Sequence, residues 1–138
     1  DAARALAVGD TARALQIAAT FISPDSTRKS GLSLAGMRTF ARADLMDRLG
    51  NPAAAVGYYE ALDPARFNVN CLICPGMTLY VRSFFALGRL YEQLKEPARA
   101  LAAYEKFLTW WPVEDPVTAT ERTAAKAAIN RLKDRAGR

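Results

Sequence analysis

Residues 81–112 read VRSFFALGRLYEQLKEPARALAAYEKFLTWWP, and this stretch decides the fold. Its first half carries small and apolar side chains at spacings of three and four, the period of one buried stripe on an α-helix. These residues are Val81, Phe84, Leu87, Gly88 and Tyr91. Pro97 then stands where a second helix begins, because the first turn of a helix does not need the N–H that proline lacks. The stretch predicts a helical hairpin over residues 77–109.

The same plan recurs upstream at fixed offsets. Moving back by 45 residues aligns Pro97 with Pro52, Ala100 with Ala55, and Tyr104 with Tyr59. This internal repeat predicts a second hairpin over residues 31–62. A further shift of 41 residues aligns Ala55 with Ala14, in what would be the second helix of another hairpin. Too few residues precede that helix to form a first helix of matching length, so the sequence predicts a partial hairpin over residues 1–22. We therefore expect a chain cut from a longer array or completed by a neighbouring molecule.

Composition supports one helical domain over residues 1–138. Hydrophobic residues make up 51% of the chain and charged residues 24%, which is enough apolar surface for a continuous core. Alanine, leucine and arginine are frequent while β-branched valine and isoleucine are sparse, a balance that favours helix over strand. No apolar run approaches the roughly 20 residues that cross a bilayer, so we expect a soluble protein without a membrane span. Bacterial cytoplasmic and exported locations both stay open.

Positive charge is concentrated at the carboxyl end. The formal net charge is +5, and residues 121–138 hold six basic side chains against two acidic ones. A positive charge confined to one terminal helix argues against nucleic-acid binding, because proteins that bind nucleic acids usually present a wide basic face. We predict a capping helix over residues 116–136, because the end of a helical array needs a polar outer face.

The hairpin of residues 77–109 resembles the tetratricopeptide repeat family. The matching signature positions are Phe84, Leu87, Gly88, Tyr91, Ala100, Tyr104, Phe107 and Pro112. The middle copy departs from the pattern, with Arg42 and Ala43 in place of Leu87 and Gly88, and the offsets of 41 and 45 exceed the family's usual length of about 34 residues. The resemblance implies an α-solenoid of about three antiparallel hairpins, the first one truncated. Gly88 and Ala100 are small because two helices are expected to cross closely there.

The resemblance also implies a concave wall, built from the first helices of the hairpins, that binds a protein or a peptide. The residues predicted to face this wall are Met37, Phe40, Asp44, Asp47, Arg48, Arg82, Phe85, Arg89, Glu92 and Gln93. Phe40 and Phe85 hold matching places 45 residues apart, and two aromatic contacts flanked by charge suit an extended or helical peptide. The alternative is that both rings pack on an adjacent hairpin.

Cys71 and Cys74 form a Cys-x-x-Cys pair in the long connection between the second and third hairpins. The pair could form a disulfide, remain as buried thiols, contact a neighbouring molecule, or serve a redox or metal role. A zinc site needs four ligands and the chain has no histidine, so no metal or other cofactor is predicted.

The sequence lacks the residue patterns of an enzyme: it has no histidine base, no glycine-rich phosphate loop and no nucleophile elbow. Trp110 and Trp111 are expected to fill the gap to the next hairpin rather than stack on a ligand. Three hypotheses for function follow. The chain is a peptide-binding scaffold, a structural subunit that stacks head to tail with other copies of itself, or a regulatory segment of a larger bacterial signalling protein.

Overall fold

The structure is a computed structural model that describes residues 10, 13, 14, 16, 32–62, 75–111 and 116–137. The prediction of an all-α protein is confirmed for this part of the chain, which contains five long helices and no strand. They are α1 (Leu32–Arg48), α2 (Pro52–Glu60), α3 (Pro75–Gln93), α4 (Pro97–Trp110) and α5 (Ala119–Ala136). No helix within these ranges is both long and apolar enough to cross a membrane.

The loops that follow α1 and α3 have the same hydrogen-bonding pattern. Gly50 has a φ of 73° and Lys95 a φ of 60°, so both occupy the left-handed region that ends many helices. After α1, the N–H of Asn51 donates to the carbonyl of Met46; 45 residues later the N–H of Glu96 donates to Tyr91 in the same way. Two tight turns of one type thus connect α1 to α2 and α3 to α4.

Prolines begin the helices that follow these turns. Pro52 and Pro97 each occupy the first turn of a helix, as the sequence predicts. The side chain of Asn51 also accepts a hydrogen bond from the N–H of Ala54 at 3.1 Å, which caps α2. Near the amino end, the side chain of Asp10 accepts from the N–H of Arg13 at 3.0 Å, so the first copy of the repeat has an equivalent contact.

Helices α3 and α4 run antiparallel and form the centre of the molecule. Residue numbers rise along α3 while those of their partners fall along α4. The pairs are Tyr80 with Trp110, Phe85 with Phe107, and Tyr91 with Arg99. Between them, Gly88 lies against the ring of Tyr104. Phe107 and Ala100 are fully buried, and a continuous core extends from them to α2 and α5.

Helix α5 runs parallel to α3. Glu121 of α5 pairs with Arg82 of α3, and Arg131 of α5 pairs with Glu92 of α3. The two residues of each pair are 39 positions apart, so the two helices advance in the same direction. Helix α1 lies on the other side of α3, where Asp47 meets Arg89. The odd-numbered helices therefore lie side by side, with α3 between α1 and α5.

One expectation about the tryptophans is wrong. Trp111 packs against the core, but Trp110 is 49% exposed and meets the ring of Tyr80 edge-on. Trp110 is the last residue of α4 and lies opposite Tyr80 of α3, whose ring covers only part of its side chain. Cys71, Cys74 and Pro112 lie outside the described residues, as does nearly all of the partial hairpin at residues 1–22; its Ala14 is described and is fully buried.

Candidate functional site

Charged side chains connect α1, α3 and α5 along one face, which we call the wall. On it the Arg89 guanidinium donates to the Asp47 carboxylate at 2.5 Å, joining α3 to α1. Arg82 donates to Glu121 at 3.0 Å, joining α3 to α5. Most of the charges that the sequence assigned to a free binding stripe are therefore paired with each other or with α5. Sequence reasoning did not assign Glu121 to this face.

A tyrosine, an acid and an arginine meet where α3, α4 and α5 join. The hydroxyl of Tyr104 donates to the Glu92 carboxylate at 2.9 Å, and Arg131 donates to the same carboxylate at 2.7 Å. Burial raises the pKa of Tyr104 well above its usual range, and the hydrogen bond to Glu92 adds to this effect. Arg131 was another residue that the sequence did not assign to the wall.

An equivalent group lies earlier in the chain, with its tyrosine and its acid each displaced by 45 residues. Tyr59, on α2, is buried near Asp47 of α1, and Arg89 of α3 takes the place that Arg131 has in the later group. Burial raises the pKa of Tyr59 above its usual range, with further contributions from the Asp44 and Asp47 carboxylates. The two groups form similar joints, each linking one helix pair to the next odd-numbered helix.

The two phenylalanines of the predicted stripe are half-buried, and each packs on the helix that follows its own. Phe40 meets the ring of Tyr59 edge-on, with ring centroids 5.4 Å apart. Phe85 lies 5.8 Å from the ring of Tyr104 and 5.5 Å from that of Phe107. Both rings therefore contribute to the core of their own helix pair. The sequence had suggested that they contact a peptide or pack on an adjacent hairpin, and neither expectation described this arrangement.

The freely accessible part of the wall is smaller than the predicted stripe. The Arg48 side chain is 66% exposed and forms a 2.8 Å ion pair with Asp44 within α1. Gln93, at the end of α3, is also exposed, whereas Met37 is half-buried. These residues, with the outer edges of the ion pairs, are what the wall offers to a partner.

A cleft lies between α2 and α4, with α3 as its floor. At one end, Tyr91 donates to the Glu60 carboxylate at 2.6 Å, and the Arg99 guanidinium lies over the Tyr91 ring at 4.3 Å. At the other end, the Lys106 ammonium lies 4.4 Å from the centre of the Phe84 ring. The sequence held a signal for this cleft, because the two cations are seven residues apart on α4 and the two rings seven apart on α3.

Because its buried tyrosines have raised pKa values, we expect the protein to lose stability at alkaline pH. Burial raises the pKa of Tyr91 to about 12, assisted by its hydrogen bond to Glu60, whereas an unfolded tyrosine titrates near 10. The folded state thus favours the neutral phenol. The resulting stability is complete below about pH 10 and is lost as the pH rises towards 12.

We expect urea unfolding midpoints to fall over that interval, with tyrosinate absorbance appearing together with the loss of helical circular dichroism. The variant Tyr91→Phe should show a flatter pH dependence, because its phenyl ring has no proton to lose. Complete titration of every tyrosine near pH 10, with the helices intact, would contradict this expectation.

Comparisons with known proteins yielded no match, whether against protein-family models, curated proteins or solved structures. Within the part of the chain that the structure describes, no group of three or more potential metal ligands is found.

Proposed function

We propose that the chain is a non-catalytic scaffold, a solenoid of helical hairpins similar to tetratricopeptide repeats, which binds a protein or peptide across the wall. The main support is the order of the packed helices. Helices α1 and α3 each contact both the helix that follows and the next odd-numbered helix, which supports one face shared by α1, α3 and α5.

The equivalent joints strengthen the repeat interpretation. The Asp47–Arg89 and Glu92–Arg131 pairs perform the same task at successive positions, and each has a buried tyrosine beside it. The acid and the tyrosine recur at the same offset of 45 residues, and an arginine from the next odd-numbered helix joins each pair, which an irregular bundle would not be expected to repeat. Because the wall charges balance one another, we expect its partner to be recognised by shape and hydrogen bonds more than by net charge.

The outer side of α5 gives little support to head-to-tail stacking. Its exposed residues are small or polar, among them Thr120, Thr123, Ala127, Asn130 and Asp134. A self-assembling end would be expected to expose a larger apolar area. Sedimentation over a range of concentrations tests this alternative, and a polymer that grows with concentration would favour it over the scaffold.

The scaffold proposal is tested by photo-crosslinking. Peptides selected on the folded chain from a random library are exposed to variants that carry p-benzoylphenylalanine at Arg48 or Gln93, two accessible wall positions. Ala98, exposed on α4, is the control position. We expect adducts with the same peptides at both wall positions and none at Ala98. Adducts confined to Ala98, or equal at all three positions, would show that the wall is not the binding surface.

Phe85 is unsuitable for this test because its ring packs on Phe107, so its removal would weaken the fold itself. The accessible positions avoid that complication. Each variant should retain the thermal unfolding midpoint of the parent chain, which separates a binding effect from loss of structure.

A further inference from the structure

The cleft between α2 and α4 is large enough to hold a ligand and is distinct from the wall. Its volume is about 410 Å³, and none of the ten residues predicted to bind a partner lines it. Ligand pockets usually measure roughly 300–1,000 Å³. The α3 floor is apolar and largely aromatic, formed by Tyr80, Phe84, Leu87 and Tyr91, and Leu62, just after α2, lines one side.

The two ends of the cleft differ in charge. At the Tyr91 end, the Arg99 guanidinium is shared between the carboxylates of Glu60 and Glu96, so the acidic charges outnumber the basic one. At the Phe84 end, Lys106 contacts the ring below it, and no described carboxylate forms an ion pair with it. The cleft thus has one end where carboxylates outnumber the cation and one end with a cation available to an anion.

The spacing of the two ends sets the size of the occupant. Phe84 and Tyr91 lie two helical turns apart on α3, which corresponds to about 10 Å. An extended peptide advances roughly 3.3 Å per residue, so three residues span this length. Aromatic floors favour apolar side chains, since their burial releases water from both surfaces.

We propose that this cleft binds a short apolar peptide segment of another protein, with a carboxylate at one end that pairs with the Lys106 ammonium. The apolar side chains of the segment lie over Leu87, between the rings that Arg99 and Lys106 cover, and the carboxylate accepts hydrogen bonds from Lys106 at the Phe84 end. This site goes beyond the proposed wall, and the two surfaces can be occupied independently because they share none of the predicted contact residues.

The test uses two capped tripeptides, Ac-Leu-Phe-Glu-NH₂ and Ac-Leu-Phe-Gln-NH₂, titrated into the full chain and followed by the amide resonances of Ala102 and Ala103, which line the cleft. The glutamate peptide should bind about two- to fivefold more tightly, the effect of one exposed ion pair. In Lys106→Gln this difference should vanish. In Lys95→Gln, which removes an exposed lysine outside the cleft, it should persist.

A second pair of variants tests the cleft itself. Ala102 is exposed, so Ala102→Phe should fold normally while its ring fills the cleft, and both peptides should lose at least about tenfold in affinity. Ala98→Phe adds the same ring to an exposed position of α4 that does not line the cleft, and it should bind like the parent.

Three results would overturn the proposal. They are equal binding of the two peptides to the parent chain, unchanged binding by Ala102→Phe, and the absence of any shift at Ala102 and Ala103 with millimolar peptide. Two other occupants would also be revealed. A dimer that Ala102→Phe dissociates would make the cleft an interface between two copies, and intramolecular contacts to its floor in the monomer would show that the chain fills it; either result rejects a peptide of another protein.

Discussion

Replacing Phe107 with alanine is expected to lower the free energy of unfolding by about 3–5 kcal/mol, the range for loss of a large buried aromatic side chain. Phe107 is fully buried at the centre of the core, and its ring packs on Phe85 across the α3–α4 contact. Because small domains have a total stability of about 5–15 kcal/mol, the change removes a large part of it. Urea unfolding followed by circular dichroism measures the effect.

The size of the remaining side chain provides the control. Phe107→Leu keeps most of the apolar volume, so it should cost clearly less than Phe107→Ala. Leu108→Ala, one position along the helix, removes a side chain that is only half-buried and should also cost less. If Phe107→Ala changed the unfolding free energy by under about 1 kcal/mol, the α3–α4 contact would not be the centre of the core.

Replacing Gly88 with alanine is expected to destabilise the protein by about 1–3 kcal/mol, although alanine is the better helix former. A Cβ atom at this position would lie 2.5 Å from Cε1 of Tyr104, far inside normal contact distance. The Tyr104 ring is 2% exposed, packs on Phe85 and is held by its hydrogen bond to Glu92. It therefore has little freedom to move away.

Gly57 is a matched control for Gly88. It also lies within a helix, but a Cβ atom there would meet nothing within 4 Å. Gly57→Ala should raise stability by about 0.5–1 kcal/mol, because alanine loses less backbone entropy than glycine. The two glycine variants should thus shift the thermal midpoint in opposite directions. In a Tyr104→Leu background, the cost of Gly88→Ala should shrink, and an unchanged cost would rule out the ring as its cause.

Sequence patterns were sufficient to predict an all-helical chain and the helix starts at Pro52 and Pro97. The stripe of Phe84, Leu87 and Tyr91 repeats with the helical period, and these side chains are buried. Pro52 and Pro97 mark helix starts because a proline ring is compatible with only the first turn. The loop after α3 was harder to predict in detail, since Lys95 takes the left-handed conformation that Gly50 adopts in the equivalent loop.

The ion pairs of the wall could not be predicted from the sequence. Periodicity placed Arg82, Arg89 and Glu92 on one face of α3, which is correct for a single helix considered alone. It could not indicate that these charges pair with residues about 40 positions away, because such pairing depends on how neighbouring helices are offset. The predicted stripe therefore includes side chains that hold the helices together.

The order of residues along this chain determined its helices, its tight turns and the side of each helix that is buried, because these depend on interactions within a few residues. Only the tertiary structure decided which charges neutralise one another and which remain accessible. It also decided that Lys106 stands over Phe84 at the end of a cleft. Contacts of this kind arise when distant segments pack together, and no local pattern records the distance between them.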